Sequence, residues 1–477
     1  MKALVLERSL PRYAVSTAAS RLFGSGRGVH HGPLRLRTTP QPELPGPGWC
    51  RLTPILAGIC GSDLATLDGR SSWYFENFVS LPFVPGHEIV GILEGSRERG
   101  AGAEGAGAEG AGAEGAGERR VVVESVLGCA TRGVAPRCKY CEHGLQQLCE
   151  HTAFGNLEPG LQTGYCASTG GGWSTSLVVH ESQCHDVPDE MSDEAAVMVE
   201  PTACAVHAVL AGELAAGELA VVSGAGALGV CVVAAIKHLA PRTRVLVAAK
   251  YAHQRQLAKN LGADLVVTPE AMGRATRRLT KSLALGRHLS NGADAVFDCV
   301  GSAQTLAGAL EVVRPRGRIV LVGMPGAVKV DLAPLWHREI RLLGAYAYGA
   351  EAPGSAGASV DPGARNNAAS DPAARVSAFD LAIEVVATAS LERLVSATYP
   401  IERYEDAIRH AATAGMRGST KIAFDMRTVA AHLSAQSTQT SAGAGAGARI
   451  QGSRSSVGSH RQRFGDNESR NRGELHT

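Results

Sequence analysis

Four of the chain's eleven cysteines crowd into one short run, GCATRGVAPRCKYCEHGLQQLC (128–149). Cys138, Cys141 and Cys149 follow a C-x2-C-x7-C spacing, and Cys129 stands alone upstream. Thiols so arranged can bind a metal, close disulfides or lie together by chance. The opening MKALVLERSL reads as a β-strand rather than a secretory leader, so the expected location is cytoplasmic. Thiols persist in a reducing compartment, which favours a metal over disulfides. Four thiolates leave no open coordination position, so a zinc there would be structural.

A second set of metal-ligating types is scattered. AGICGSDLATLDG supplies Cys60, Ser62 and Asp63; LPFVPGHEIVG supplies His87 and Glu88; AAVMVEPTACAVHAV supplies Glu200. One thiolate, one imidazole and one or two carboxylates form a zinc shell with an open position, which is what a Lewis-acid catalyst needs. A third set is a turn, Gly224-Ala-Gly226-Ala-Leu228-Gly229, which follows a short apolar strand and opens an apolar helix. In that context G-x-G-x-x-G is a dinucleotide fingerprint. Gly224 permits the tight turn, Gly226 lets backbone approach a pyrophosphate, and Gly229 lets helix pack on strand, with Leu228 beside it at the helix start. About 20 residues on, where an acid would bind the ribose 2′-hydroxyl of NAD, stand Ala248 and Ala249, followed by Lys250, His253 and Arg255. Loss of the acid and the nearby cations favour NADP over NAD.

These residues need elements to hold them. From about 202 to 347, strands alternate with helices (ELAVVSG, RVLVAA, DLVVT, DAVFDCVG, GRIVLVG, RLLGAYAYG), the pattern of a doubly wound parallel sheet of Rossmann type. Residues 50–186 read instead as short β-runs between Gly-, Pro- and Cys-rich segments, an irregular, mostly β domain. The division expected is a catalytic domain at 1–201, the nucleotide domain at 202–347, a return to the catalytic domain at 348–427, and a polar tail at 428–477. The Gly-Ala-Glu repeat at 97–120 and the Pro- and Gly-rich 349–375 read as flexible insertions. The apolar fraction of 44% is that of a soluble globular protein, and 47 basic against 45 acidic residues leave a net charge of +2. That balance gives no footprint for nucleic acid or an anionic membrane, so neither is an expected partner.

Taken in order, GICGSD, PGHEIVG, EP, GAGALG, DAVFDCVGS and GRIVLVG resemble the zinc-dependent medium-chain alcohol dehydrogenase family, especially its sorbitol and threonine dehydrogenase branch. The resemblance runs from about residue 45 to 425, outside the two insertions. It implies a GroES-like catalytic domain beside the Rossmann domain and a homodimer or homotetramer. It also implies hydride transfer from an alcohol, polyol or hydroxy-amino acid to NAD or NADP beside a catalytic zinc. By the same resemblance Cys60 and His87 are zinc ligands, Glu88 or Glu200 is the third, and Ser62 carries the hydroxyl proton outward. Many relatives end that relay in a histidine shortly after C-G-[ST]-D; here the segment holds Ala65 and Thr66 instead. The family's structural lobe reads C-x2-C-x2-C-x7-C; its first cysteine would fall at Ala135, leaving Cys129 as the substitute if ATRGVAPR loops back. Two rival readings are a zinc-independent quinone or enoyl reductase and an inactive nucleotide-binding interaction protein. The first is disfavoured by Cys60, His87 and Glu88 together, the second by that set with Ser62.

Overall fold

The computed structural model describes residues 1–94, 119–351 and 375–427. The stretches 95–118, 352–374 and 428–477, close to what the sequence marks as insertions and tail, lie outside the described residues. Their expected edges shift slightly. Arg119 and Arg120 belong to the strand Arg119–Val123, and Ala350–Glu351 pairs with Val376–Ser377.

The Rossmann sheet has six strands, all parallel. In spatial order they are Leu265–Val267, Arg244–Ala248, Leu219–Ser223, Ala293–Asp298, Val313–Leu321 and Arg341–Gly344. Helices cover both faces, which is why the inner strands read as unbroken apolar text: every residue of Leu219–Ser223 is buried. The strand order reverses between Leu219–Ser223 and Ala293–Asp298. There the glycine turn leaves the sheet, the place where a doubly wound fold opens a ligand crevice. The stretch Asp193–Ala211 is long and apolar enough to cross a membrane, but 78% of its most apolar window is buried in the fold as core helix.

The catalytic part is built on a seven-stranded sheet. Its main path runs Val395–Tyr399, Lys421–Asp425, Trp49–Gly58, Ile89–Leu93, Arg119–Val123, Cys184–Asp186, and Leu177–His180 pairs with Trp49–Gly58 off that path. Sequence patterning gives helix, strand, helix after residue 375 and misses the last strand, Lys421–Asp425, which docks antiparallel on Trp49–Gly58. It also misses a helix, Leu10–Phe23. The residues that this helix buries are Ser16 and Ser20, not an apolar stripe, so hydrophobic periodicity carries no trace of it. Both serines reach the helix Gly61–Leu67 and its end: Ser16 Oγ donates to Leu67 O at 2.8 Å and Ser20 Oγ to Asp68 Oδ1 at 2.7 Å.

Candidate active site

The strand Trp49–Gly58 ends just before Cys60, which starts the helix Gly61–Leu67. Asp63, one turn in, folds back so that its Oδ2 accepts the Cys60 backbone N–H at 2.9 Å. This fixes the cysteine at the mouth of the helix. His87 and Glu88 precede the strand Ile89–Leu93, and the turn before them passes over the buried Trp173, whose Nε1 donates to Gly58 O at 3.1 Å. Gly86 is required there: it has φ +99°, and a Cβ would sit 2.4 Å from the Trp173 ring. Trp173, fully buried, is packing beneath this turn.

The ligand atoms of Cys60, His87 and Glu88 lie within 4.8 Å of one another. His87 is 4% exposed, and its Nδ1 is buried without a hydrogen-bond partner, 3.5 Å from Asp63 Oδ1. Burial alone would lower the His87 pKa; the Asp63 carboxylate overrides it and holds the imidazole well above its ordinary value. Glu88 is not idle. Both its carboxylate oxygens accept from Lys421 Nζ at 2.5 Å, and the pair is 1% and 3% exposed. Gly58 makes this pose possible, since a Cβ there would come within 1.8 Å of Glu88 Oε2.

Glu200, in the first turn of Val199–Ala211, falls outside the compact trio. Its Oε1 accepts from Cys204 Sγ at 3.8 Å. Burial pushes its carboxyl up to about 7, the nearby His87 pulling the other way. Cys204, which reads as a core thiol, thus borders the site.

Ser62 meets a residue that sequence reasoning missed. The Tyr165 hydroxyl lies 3.0 Å from Asp63 Oδ1 and 3.4 Å from Ser62 Oγ, and its ring centroid is 5.7 Å from that of His87. The tyrosine hydroxyl thus stands between the Asp63 carboxylate and the Ser62 hydroxyl and links them in one chain of oxygens. Thr66, where relatives continue their relay, instead donates to Ser62 O at 3.0 Å. The aromatic segment 71–83 forms a short 3-10 helix, Trp73–Phe78, with Trp73 and Tyr74 largely exposed.

The four clustered cysteines also come together, their sulfurs within 4.8 Å of one another. ATRGVAPR does loop back: Arg132 N donates to Gly128 O at 3.2 Å and Val134 N to Cys129 O at 3.0 Å. Cys129 Sγ thereby reaches 3.6 Å from Cys149 Sγ. Backbone N–H groups of Cys129, Cys138 and His151 point at the sulfurs of Cys141, Cys129 and Cys149, at 3.3–3.4 Å, and such donors stabilise thiolates. All eleven cysteines are free of disulfides.

At the nucleotide turn, Gly224 has φ +93°, and a Cβ on Gly229 would lie 2.0 Å from Gly224 O. A Cβ on Gly226 would meet nothing within 4 Å, which leaves open space at the N-terminus of Ala227–Leu239. Leu228 is half-buried in that first turn. Asp298, in the strand across the crevice, is fully buried and accepts from the backbone of Val300 and Gly301 and from Thr305 Oγ1, shaping the opposite turn. Lys250 is exposed at the end of the second strand, its Nζ 5.5 Å from the Tyr251 ring. Arg255 folds back so that Nη1 donates to the carbonyls of Ala249 and Lys250 at 3.1 and 2.8 Å.

Residues 46–189 match the model of the alcohol dehydrogenase GroES-like domain, and residues 227–359 that of the zinc-binding dehydrogenase. The chain is 29% identical to a sorbitol dehydrogenase of Arabidopsis thaliana over 308 residues, 64% of this chain and 75% of that one. It is 30% identical to an L-idonate 5-dehydrogenase of Vitis vinifera over 319 residues, 66% of this chain and 77% of the other. The chain belongs to the zinc-dependent medium-chain alcohol dehydrogenase family. The dehydrogenase also shares its fold with alcohol dehydrogenase TADH from Thermus sp. ATN1, at a TM-score of 0.61 and 23% identity, covering 90% of this chain and all of that one. It is an NAD(P)-dependent oxidoreductase of CH–OH groups, and zinc and a nicotinamide are its cofactors.

The residues on hand suit both. Thiol, imidazole and carboxylate in one buried cluster are a zinc donor set, and Asp63 beside His87 Nδ1 is the kind of carboxylate that orients a ligating imidazole. Lys421 and Tyr165 were out of reach of sequence reading, since neither sits in a motif. The clue available was chemical: a buried glutamate needs a cation, and a relay that lacks its histidine needs another hydroxyl.

Proposed function

We propose that this dehydrogenase oxidises a small alcohol or polyol at a site where Cys60, His87 and Glu88 hold the catalytic zinc. Glu200 lies on the same buried wall as a carboxylate that can replace Glu88. The observation that carries this reading is the buried convergence of the thiol, imidazole and carboxylate donor atoms of Cys60, His87 and Glu88 within 4.8 Å of one another. When bound there, zinc supplies Lewis acidity and the nicotinamide accepts hydride. The rest falls to side chains. Asp63 holds Cys60 and faces His87, which keeps the ligand pair in register. Ser62 relays the substrate's hydroxyl proton: as it takes that proton it passes its own to the Tyr165 oxygen, whose proton moves to the Asp63 carboxylate. Gly224, Gly226, Leu228 and Gly229 cradle the pyrophosphate, and Lys250 is the cation placed for a 2′-phosphate, with Arg255 bracing the loop behind it. NADP is thus the preferred cofactor. Cys129, Cys138, Cys141 and Cys149 hold a second, structural zinc. The reading extends to a catalytic part at 1–201 and 348–427 around a nucleotide domain at 202–347, to a homodimer or homotetramer, and to a cytoplasmic location.

The test is zinc per chain by mass spectrometry, with turnover of a panel of alcohols and polyols under NADP and NAD. Two zincs are expected, and Cys60→Ser should lose one of them together with about 100-fold or more of the turnover. Turnover untouched by Cys60→Ser would sink the assignment.

A further inference from the structure

Arg132 lies between Cys129 and Cys138, in the stretch that loops back to bring Cys129 to the other three thiols. Its side chain has no solvent exposure at all. Nη1 donates to the carbonyls of Phe154, Leu157 and Glu158 at 3.2, 3.3 and 3.4 Å, and Nη2 to Gly160 O at 2.5 Å. Nε donates to nothing. Among the described residues no carboxylate pairs with it. Cys129 stands one turn away, in the bend closed by Arg132 N on Gly128 O, and thiolates at Cys166, Cys149 and Cys129 would each favour the guanidinium's charge against its burial.

A guanidinium buried without an anion is costly, by several kcal/mol even after relaxation. Four carbonyl dipoles soften that cost but carry no net charge. The cysteine lobe presents the mirror-image problem. Its four cysteines are 0–9% exposed, and a zinc held by four thiolates has a net charge of about −2. Each group is poorly housed alone, and each supplies what the other lacks. The polypeptide also joins them. Arg132 N–H and C=O are fixed by Gly128 O and Asn156 N, so its backbone is part of the turn that delivers Cys129.

We propose that Arg132 is the built-in counter-ion of the four-cysteine centre, and that through its carbonyl contacts zinc loading and closure of the 154–160 loop become one event. The proposal rests on the reading that this cluster holds zinc. The loop leads directly to the catalytic side. Gly160 packs on Cys166, where a Cβ would lie 2.6 Å from the cysteine Cβ, and the neighbouring Tyr165 holds Asp63 and Ser62. An unloaded lobe therefore loosens the segment that carries Tyr165.

The experiment uses the full chain carrying Cys60→Ser, so that the lobe zinc is the one counted. Zinc release to a chromogenic chelator and thermal unfolding, loaded and metal-free, are measured for the parent, Arg132→Met and Arg132→Lys. Arg132→Met should release zinc about tenfold faster or more. Arg132→Lys should recover most of that loss. The metal-free Met variant should unfold no more easily than the metal-free parent, because it no longer buries an unpaired cation. Zinc held equally well by the Met variant would overturn the counter-ion. So would equal losses of stability with and without metal, which would mark Arg132 as a carbonyl clamp alone. If Arg132→Met does not fold, Arg132→Gln, neutral but still a donor, takes its place under the same criteria. A parent whose zinc count is unchanged by Cys138→Ser would remove the zinc reading itself, an outcome separate from failure of the Met comparison.

Discussion

Glu88 reached the sequence reading as a candidate ligand, and the structure shows it also as half of a buried ion pair. The two roles are compatible only while Lys421 is present to neutralise it. Removing one partner of such a pair leaves an uncompensated buried charge, which costs about 3–5 kcal/mol. Lys421→Met should therefore destabilise the metal-free protein by about that amount in urea unfolding, while Lys421→Arg retains most of the stability. A Met variant as stable as the parent would show that Glu88 is neutralised by something else. The residue scale was legible where chemistry restricts identity. Cys60, His87 and the four lobe cysteines stand out because few residue types bind zinc. Lys421 and Tyr165 do not, because lysine and tyrosine are common and their partners lie 333 and 102 positions away in sequence.

The helix Gly61–Leu67 carries Ser62 and Asp63, and what steadies it comes from the N-terminal region. Asp68, at its C-terminal end and 2% exposed, accepts from Ser20 Oγ, Ser25 Oγ, Gly26 N and Arg70. The helix Leu10–Phe23 and the loop after it are thus clamped to the catalytic helix through one carboxylate. Asp68→Ala would strip the acceptor from several buried donors, at about 2–4 kcal/mol in total. It should lower the melting temperature and also lower kcat, since Ser62 rides on the released helix. Melting and steady-state kinetics on one preparation check this, and a melting change with kcat intact would limit the clamp to stability. Elements that bury apolar faces were readable, the parallel strands most of all. An element held by serines and one aspartate left no period to read.

Across the whole molecule, His185 joins parts that are remote in the chain. Its Nε2 lies 3.0 Å from Glu124 Oε2 and its Nδ1 3.1 Å from Asp380 Oδ1, at the start of Ala378–Ala389. Glu124 also takes a hydrogen bond from Gln146 of the cysteine lobe. Burial would lower the His185 pKa, but the hydrogen bonds and charges of Asp380 and Glu124 outweigh it and raise it to about 9. The folded state therefore binds the proton more tightly than the unfolded chain, whose histidines titrate near 6.5. The stabilisation is complete below about pH 6.5 and is lost as pH rises through about 9. Asp380 is 63% exposed, so screening reduces the gain to on the order of 1–2 kcal/mol. Melting followed from pH 6 to 9.5 should show this decline in the parent and a flatter profile in His185→Gln. An identical decline in both would place the titrating group elsewhere. That the nucleotide sheet is parallel could be foreseen from the alternation of its strands with helices. The return of the chain to the catalytic sheet could be foreseen only in part, because Lys421–Asp425 is a short strand inserted between two others.

Gly58 is where this architecture meets descent. While Glu88 lies on Lys421, the only substituent that fits at position 58 is a hydrogen atom. Any lineage that acquired a side chain there must first, or at the same step, have rehoused the glutamate. The residue at this one position is therefore a written record of the glutamate's pose, and sorting relatives by it would sort them by how their buried carboxylate is kept.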